Sequence, residues 1–267
     1  MKMLRKIGLM ILLVQVAIGQ EKIESPYKTD LLTDGAIVTG LIGTNALGLI
    51  MIKDKEPLTV EELNNLNKED IWAINRWNAG YNNENAAKLS DIPLAASIAL
   101  PFTLLLDKTM SQNAGQLSVL YVESVGSAMA IFTVTSALVE KSRPKVYNTE
   151  LSTDERLEND NQRSFFSGHV AAAAAATFFT AQAYSDFYPN SKAKPYIWAT
   201  AALLPAAVSY LRLESGHHFL TDVLIGYTVG AASGILIPRL HKKKDLNLTL
   251  SPQIGFNYKG LGLTYKF

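Results

Sequence analysis

Six long stretches without a charged residue dominate this sequence of 267 residues. Each has 15 to 18 residues, is rich in Ala, Leu and Gly, and lacks the strict alternation of a half-buried strand, so each predicts a helix. Because a membrane-spanning helix needs about 20 apolar residues, two interpretations stay open: short membrane spans or fully buried core helices. The six segments are 35–52, 92–106, 124–139, 170–185, 195–211 and 223–238.

The two ends of the sequence differ from this apolar pattern. A positively charged start precedes an apolar stretch at 7–18 that ends in small residues, which predicts an export signal and a mature chain beginning at Gln20. An uncleaved anchor helix is the alternative, although the stretch is short for a span. In the tail, apolar and polar residues alternate on both sides of a turn signal at Lys259-Gly260, which predicts a β-hairpin. The hairpin is either a small edge ribbon or an outer-membrane-type terminal strand.

The composition narrows the function classes. A net charge of +1 gives no support for a nucleic-acid partner, and the absence of cysteine excludes disulfides, thiolate metal sites and a cysteine nucleophile.

The expected fold class is all-α: a six-helix bundle with a small C-terminal β-hairpin. Within the polar connection before the second apolar segment, residues 60–77 predict a surface helix with Thr59 as N-cap and Glu62 in its first turn. The expected organisation is a signal peptide at 1–19, a helix and polar connection at 20–91, a helical core at 92–240, and a basic linker with the hairpin tail at 241–267.

Three short polar clusters stand between the apolar segments, each at the end of a predicted helix. Antiparallel packing of consecutive helices would bring all three to one side of the bundle. The clusters are Lys141-Ser142-Arg143-Pro144, Ser164-Phe165-Phe166-Ser167-Gly168-His169, and the run 212–222 that contains Arg212, His217, His218 and Asp222.

The middle cluster has the features of an anion site. Ser167 and Gly168 precede a helix and offer N–H groups and a hydroxyl to one point, reinforced by the helix N-terminus. His169 follows in the first turn, where a bound phosphate would raise its pKa and keep it able to donate a proton. Taken alone, this tripeptide favours an ordinary helix cap with a surface histidine.

The last cluster has a spacing that suits a nucleophile. His218 and Asp222 share a helix face, so Asp222 is expected to accept a hydrogen bond from one ring nitrogen and leave the other with its lone pair. The planar guanidinium of Arg212 suits a tetrahedral oxyanion. A structural His–Asp pair is the alternative, and a metal site has only weak support. His217 is expected to point elsewhere and His241 to lie at the surface.

Together the clusters suit phosphoryl transfer through a phosphohistidine. His218 would attack phosphorus in line, and His169 would protonate the departing alkoxide and then activate water. Arg143, Arg212 and the N–H groups would neutralise the phosphoryl oxygens, so neither a cofactor nor a metal ion is expected.

These residues resemble the signature of the type 2 phosphatidic acid phosphatase and vanadium haloperoxidase superfamily. Its motifs are Lys–six residues–Arg-Pro, then Pro-Ser-Gly-His, then Ser-Arg–five residues–His–three residues–Asp. The matching residues are Arg143-Pro144, Ser167-Gly168-His169, and Arg212, His218 and Asp222 with both spacings intact. The resemblance covers about 92–240 and implies the helical bundle and phosphatase activity of that superfamily. It implies catalytic roles for His218, His169 and Asp222, and phosphate binding by Arg143, Ser167, Gly168 and Arg212.

Three positions depart from the superfamily motifs: Ser136 replaces the lysine, Phe166 the proline and Leu211 the serine. The first departure removes a phosphate contact, and the other two matter less. We hypothesise that another cation takes the place of the lysine, supplied by Lys141, Lys145 or Arg163.

The location follows from the signal and the charges of the tail. Export places the protein in a bacterial cell envelope. A mature N-terminus outside, with six spans, would put the clusters in the cytoplasm, whereas the basic run 242–244 argues for a cytoplasmic C-terminus. We expect a membrane-embedded or membrane-associated protein with its site facing the periplasm and a phosphorylated lipid as substrate. The alternatives are a soluble periplasmic acid phosphatase acting on small phosphomonoesters, a vanadate haloperoxidase and a non-catalytic envelope protein.

Overall fold

The computed structural model describes residues 24–243, 248–255 and 258–265; the predicted signal at 1–19 lies outside them. The described chain is mostly helical, which confirms the predicted helical class. Within it, the α-helices of 16 residues or more are α1 (Leu31–Lys53), α2 (Glu84–Ala99), α3 (Ala114–Leu138), α4 (Gly168–Phe187), α5 (Lys194–Glu214) and α6 (Leu220–His241). The shorter α-helices described are Val60–Asn65, Ala73–Arg76, Lys108–Ser111 and Thr153–Arg156, and the 3₁₀ helices are Lys68–Asp70, Leu100–Leu106, Pro144–Tyr147 and Asn159–Gln162.

The polar connection between α1 and α2 shows how side chains set helix ends. Thr59 and Glu62 form the predicted reciprocal capping box. The predicted length of this helix is wrong, since it ends at Asn65 rather than continuing to 77. The side chain of Asn67 accepts a hydrogen bond from the N–H of Glu69 and starts a separate 3₁₀ turn instead. Local side-chain hydrogen bonds of this kind compete with helix continuation.

Helix α4 is the centre of the bundle. Its alanines at 171 and 173–176 are fully buried, and α2, α3, α5 and α6 pack around it. Small side chains permit this close approach, and α6 contributes Gly226, Gly230 and Gly234 to the same contact, each directly against the backbone of α4 or its N-cap.

The outer helices present apolar side chains to the surroundings. Five stretches are long and apolar enough to cross a membrane: α1, α2 with the 3₁₀ turn that extends it to Leu106, α3, α5 and α6. Large side chains on them point outward, among them Leu32, Leu203 and Leu240. An apolar surface of this extent is typical of contact with lipid.

The long helices alternate in direction, so that the start of the described chain and the end of α6 lie at the same end of the bundle. There the N–H of Lys28 donates to the carbonyl of His241 at 2.8 Å. The end of α3 and the starts of α4 and α6 meet at the other end, where Ser164 Oγ donates to Asp222 at 2.6 Å. The three polar clusters therefore lie together, as the antiparallel arrangement predicts.

The tail contains two strands, β1 (Leu248–Gly255) and β2 (Tyr258–Tyr265), which pair antiparallel. The predicted position of the turn is wrong: Lys259 and Gly260 lie inside β2, paired with Ile254 and Gln253. A Lys-Gly pair fits a strand as well as a turn where the ladder continues past it, and the connecting residues 256–257 lie outside the described part of the chain.

Candidate active site

A cavity of about 350 Å³ lies among the three polar clusters. One side is apolar, formed by Leu49, Ile52, Leu94, Met129, Phe132 and Ala172. The other side is polar, formed by Arg143, Asp160, Arg163, Gly168, His169, Arg212 and His218. Five of the seven predicted site residues therefore line one cavity, and the other two, Ser167 and Asp222, lie next to it.

His218 stands in the short connection between α5 and α6 and is buried. Its Nδ1 lies 2.7 Å from the carbonyl oxygen of Ser164. Since a carbonyl oxygen only accepts, Nδ1 carries the proton, and Nε2 keeps its lone pair. Burial, assisted by the charges of Arg212 and Arg143, holds the pKa of His218 well below its usual value. The ring is therefore a neutral imidazole with one free nitrogen, which is the state that a nucleophile needs.

Asp222 does not hold the ring directly, and the expected hydrogen bond from His218 to its carboxylate is wrong for this structure. Its carboxylate accepts instead from Ser164 Oγ at 2.6 Å, from the N–H of Phe219 at 2.9 Å and from Lys141 Nζ at 2.6 Å. Asp222 is the third residue of α6, and a carboxylate there turns back to the N-cap N–H. This capping geometry takes it away from the imidazole.

Ser164 connects the two residues that the sequence paired directly. Its hydroxyl is bound to Asp222 and its carbonyl to the His218 ring. Asp222 is therefore linked to His218 through Ser164 and not by a direct hydrogen bond. Sequence reasoning gave Ser164 no role, because a contact across 58 positions leaves no local signal.

His169 is the second residue of α4 and has a half-exposed side chain at the cavity. Its Nε2 lies 3.7 Å from Asp91 Oδ1, a neighbour for which the sequence contains no signal. Burial and the nearby Arg212 charge lower the pKa of His169 to about 4. In the free protein at neutral pH this histidine is therefore uncharged.

The arginines hold most of the positive charge of the cavity. Arg143 pairs with Asp160, and Arg163 reaches the same carboxylate at 3.1 Å. Arg212 makes a long 3.4 Å contact to Ser90 Oγ.

Several donors around the cavity are buried and unpaired within the described chain. They are Nε of Arg143, Nε of Arg163, Nε of Arg212 and the hydroxyl of Ser167. An unpaired buried polar group costs about 1–3 kcal/mol, so a concentration of such groups indicates a place where an anion binds. The polar wall has the donors that a tetrahedral oxyanion requires.

Among the three cations considered as substitutes for the lysine missing at Ser136, Arg163 lines the cavity. Lys141 is engaged by Asp222, and Lys145 pairs with Glu158 at 3.3 Å. A fourth cation, Lys55, lies close to the substituted position without reaching the cavity wall.

The buried ammonium of Lys55 donates to three backbone carbonyls in two separate segments, which are those of Ser136 and Val139 at the end of α3, at 3.1 and 2.5 Å, and that of Gln162, at 2.9 Å. Lys55 therefore fastens the end of α3 to the loop that carries Arg163. Its role is structural, and sequence reasoning missed it.

Over part of its length the chain is similar to known proteins. A search of solved structures found "Crystal structure of Aquifex aeolicus LpxE", which is 18% identical, with a TM-score of 0.44 over 63% of this chain and 96% of that chain. No curated protein matches. The family model of the PAP2 superfamily matches residues 117–246, a range that contains all three polar clusters and the cavity residues from Met129 to His218. This part of the chain belongs to the PAP2 superfamily.

Proposed function

We propose that the protein is a metal-independent phosphatase that hydrolyses a phosphate ester on a lipid, through a phosphohistidine formed on His218. One observation carries the proposal. A buried imidazole, fixed at Nδ1 by the Ser164 carbonyl, lines a cavity whose Arg143 and Arg212 have buried N–H groups without acceptors in the described chain. A nucleophile and an anion site therefore share one wall.

The reaction follows from these positions. His218 Nε2 attacks phosphorus as the bond to the leaving oxygen breaks, and His169 gives that oxygen a proton. His169 then removes a proton from water, which attacks the phosphohistidine and releases inorganic phosphate and neutral His218. The arginines stabilise the phosphoryl oxygens in both steps.

The source of the proton on His169 follows from its low pKa. A group with a pKa of about 4 holds no proton at neutral pH. A phosphate dianion next to the ring favours the imidazolium and offsets the Arg212 charge. A phosphomonoester monoanion can therefore deliver the proton with itself, since transfer to His169 inside the cavity leaves the dianion beside an imidazolium.

A lipid substrate is supported by the two-sided cavity. Its polar wall suits a phosphate head group, while Leu49, Phe132 and their neighbours suit an acyl or prenyl chain. Leu49 is also exposed on the outer face of α1. The cavity wall and the lipid-facing surface therefore share a residue, and a lipid in a membrane has a route to the polar wall.

The proposed side of the membrane rests on charge. Lys28, Arg239, Lys242 and Lys243 lie at the end where the described chain begins and α6 finishes, opposite the candidate site. Basic residues next to spans stay in the cytoplasm. We therefore propose that the cavity faces the periplasm, which requires either that the export signal is uncleaved and part of the first span or that one apolar segment does not span.

The test of the chemistry is phosphate release from p-nitrophenyl phosphate and phosphatidic acid by the detergent-purified protein. His218→Ala should lower release by at least about 10³-fold, as loss of a covalent nucleophile does. The matched control is His217→Ala, because the adjacent His217 binds Ser215 Oγ at 2.9 Å and does not line the cavity. Equal release by wild type and His218→Ala would overturn the proposal. Bromide oxidation that depends on vanadate, without phosphate release, would assign the haloperoxidase reaction instead.

The intermediate is tested separately with His169→Ala and ³²P-labelled substrate. Without His169, water attack is slow, whereas p-nitrophenolate leaves without needing a proton. The variant should give a burst of p-nitrophenolate and hold label that survives alkali and is lost in acid. A linear time course with no label on the protein would argue against a phosphohistidine.

The lipid assignment is tested with two leucines on α1. Leu49→Asn places an amide in the apolar wall of the cavity, whereas Leu47→Asn places one on the exposed face outside it. We expect the first variant alone to lose kcat/KM for phosphatidic acid, with p-nitrophenyl phosphate unaffected in both. An equal loss of kcat/KM for p-nitrophenyl phosphate would favour an enzyme that acts on small phosphomonoesters.

A further inference from the structure

Three helices bring two carboxylates and a histidine together at the end of the bundle opposite the candidate active site. Asp34 lies in the first turn of α1, Glu123 lies in α3, and His241 is the last residue of α6. At a rise of 1.5 Å per residue, His218 and His241 are about 30 Å apart along α6. The cluster is therefore separate from the phosphoryl-transfer site.

We propose that Asp34, Glu123 and His241 bind one divalent transition-metal ion, with Zn²⁺ as the ion that fits best. The expected surface position of His241 is wrong, because its side chain is only 15% exposed and packs between the two acids. The site serves the bundle and does not depend on the proposed phosphatase reaction.

The distances between the ligand atoms match a coordination shell. His241 Nε2 lies 3.2 Å from Asp34 Oδ1 and 3.4 Å from Glu123 Oε2, and all three ligand atoms lie within 4.8 Å of one another. Two donors at about 2.0–2.2 Å from a tetrahedral zinc lie about 3.3–3.6 Å apart. Small movements of side chains would therefore close the shell around an ion.

The histidine is oriented as a metal ligand requires. His241 Nδ1 donates to the carbonyl of Ile237 at 2.9 Å, and Nε2 points at the two acids and donates to Asp34 Oδ1 at 3.2 Å, so a bound metal ion would take the place of the proton on Nε2. Asp34 is fixed as well, because its second oxygen accepts from the N–H of Asp30 at 2.6 Å. Such supporting hydrogen bonds orient ligands at metal sites.

Glu123 supplies independent support for a bound cation. Its side chain is 1% exposed, and neither carboxylate oxygen has a hydrogen-bond partner within the described residues. A buried carboxylate without donors is expensive, and an ionisable residue inside an apolar helix is usually functional. His241 lies near one oxygen, but the contact at 3.4 Å lacks hydrogen-bond geometry.

The charge of the cluster calls for a divalent ion. Two carboxylates and a neutral imidazole carry a formal charge of −2, and protonation of the imidazole leaves −1. One divalent cation makes the cluster neutral. An imidazole nitrogen with two carboxylate oxygens is a ligand set that Zn²⁺ accepts, with water at the fourth position.

An entry route and a structural consequence follow from the neighbours. A cavity of about 450 Å³ is lined by Asp34 together with Asp30 and Gln116, which gives an ion a polar approach from outside. Helix α1 packs along α3, and its far end carries Leu49 and Ile52 of the candidate active site. A metal ion that joins α1 to α3 and α6 would hold this outer helix in place.

The experiment measures metal bound to the full chain, purified with a tag that contains no histidine. Wild type, Glu123→Gln, Asp34→Asn and the control Asp186→Asn are titrated with Zn²⁺ after chelation. Asp186 is a buried carboxylate at the same end, but its partners are Tyr27 and Lys242. Wild type and the control should bind one equivalent. Both cluster variants should lose at least about 100-fold in affinity, since loss of a supporting partner alone costs 10- to 100-fold.

Wild-type measurements decide the matter even if a variant fails to fold. Co²⁺ in the wild-type site should give the visible absorption of a tetrahedral ion, and chelation should lower the Tm until Zn²⁺ restores it. Wild-type protein that binds neither Zn²⁺ nor Co²⁺, with a Tm unaffected by chelator, would overturn the proposal and leave an ordinary buried ion cluster. Phosphatase activity is read in parallel, so failure here and failure of the proposed function are distinguishable.

Discussion

The close contact of α6 with α4 allows a sharp test of whether the geometry of the candidate site controls activity. A methyl group at Gly226 would meet the carbonyl oxygen of Ser167 at 2.5 Å, and one at Gly234 would meet that of Ala175 at the same 2.5 Å. Ordinary contact begins at about 3.4 Å, so the helices must separate by about 0.9 Å in either variant. The two substitutions therefore create the same shortest contact at different places, and Gly234 has a second close contact at 2.7 Å to the backbone nitrogen of Phe179.

The expected loss of stability is at least as large at Gly234 as at Gly226, whereas the expected loss of activity is larger at Gly226. Overpacking of this kind costs about 1–3 kcal/mol, so Gly226→Ala should lower the Tm and Gly234→Ala should lower it at least as much. Gly226 faces the residue that opens the anion site, and the N–H of Ser167 donates to the carbonyl of Asp222 at 3.1 Å. A misplacement of about 1 Å costs on the order of 10²-fold in rate. Gly234→Ala should stay within about threefold of wild type, since its strain lies about 12 Å further along the helix.

The assay is kcat/KM for p-nitrophenyl phosphate in detergent, at a temperature well below both midpoints, with thermal unfolding measured on the same preparations. Gly230→Ala, with a contact of 2.2 Å to the Ala171 carbonyl, should be the least stable of the three. If Gly226→Ala and Gly234→Ala lose activity in proportion to their loss of Tm, the geometric argument for the Ser167–His169 segment is refuted.

Three further predictions concern single charges. Because the pKa of His169 is about 4, the proton for an alkoxide leaving group must arrive with the substrate, so kcat/KM for phosphatidic acid should fall about tenfold per pH unit above the second pKa of its phosphomonoester, about 6; in a pH profile, a plateau to about pH 8 would contradict this. Arg163→Ala should raise the KM for p-nitrophenyl phosphate by about tenfold or more, because a charged hydrogen bond contributes about 1.5–3 kcal/mol. Lys145→Ala should not change it in the same steady-state assay, and equal KM values for both variants would remove Arg163 from the site. Lys55→Met should lower the free energy of unfolding, measured in mixed micelles, by about 2–4 kcal/mol, because three carbonyls lose a charged donor. A loss of less than about 1 kcal/mol would show that Lys55 has no structural role.

Much of the candidate site could be predicted because its residues sit at fixed spacings. His218 follows Arg212 by six positions and precedes Asp222 by four, and both His218 and Arg212 line the cavity. The apolar segments predicted helices because charge-free runs of this length have few other folds. Helix ends were harder to predict, since Asn67 begins a new turn where the periodicity alone would continue the helix.

Contacts between distant segments could not be predicted. Ser164, Lys141 and Asp91 each contact a site residue that is 54 to 81 positions away in the sequence. The direction of a side chain at a helix start depends on the N-cap, and the Asp222 carboxylate binds the Phe219 N–H rather than the imidazole. Sequence spacing shows which residues share a face, and it does not show which of them touch.

By itself the sequence determined the helical class and the order of the polar clusters, and it indicated that the clusters suit a nucleophile next to an anion site. Each of these results depends on local composition and short spacings. Only the tertiary structure decided which groups are in contact: that Ser164 orients His218, that Arg163 reaches the cavity, and that Asp34, Glu123 and His241 converge at the far end. The physical reason is that helix packing brings together residues that are far apart in the chain, and the closest packing follows from the glycines of α6 against the alanines of α4.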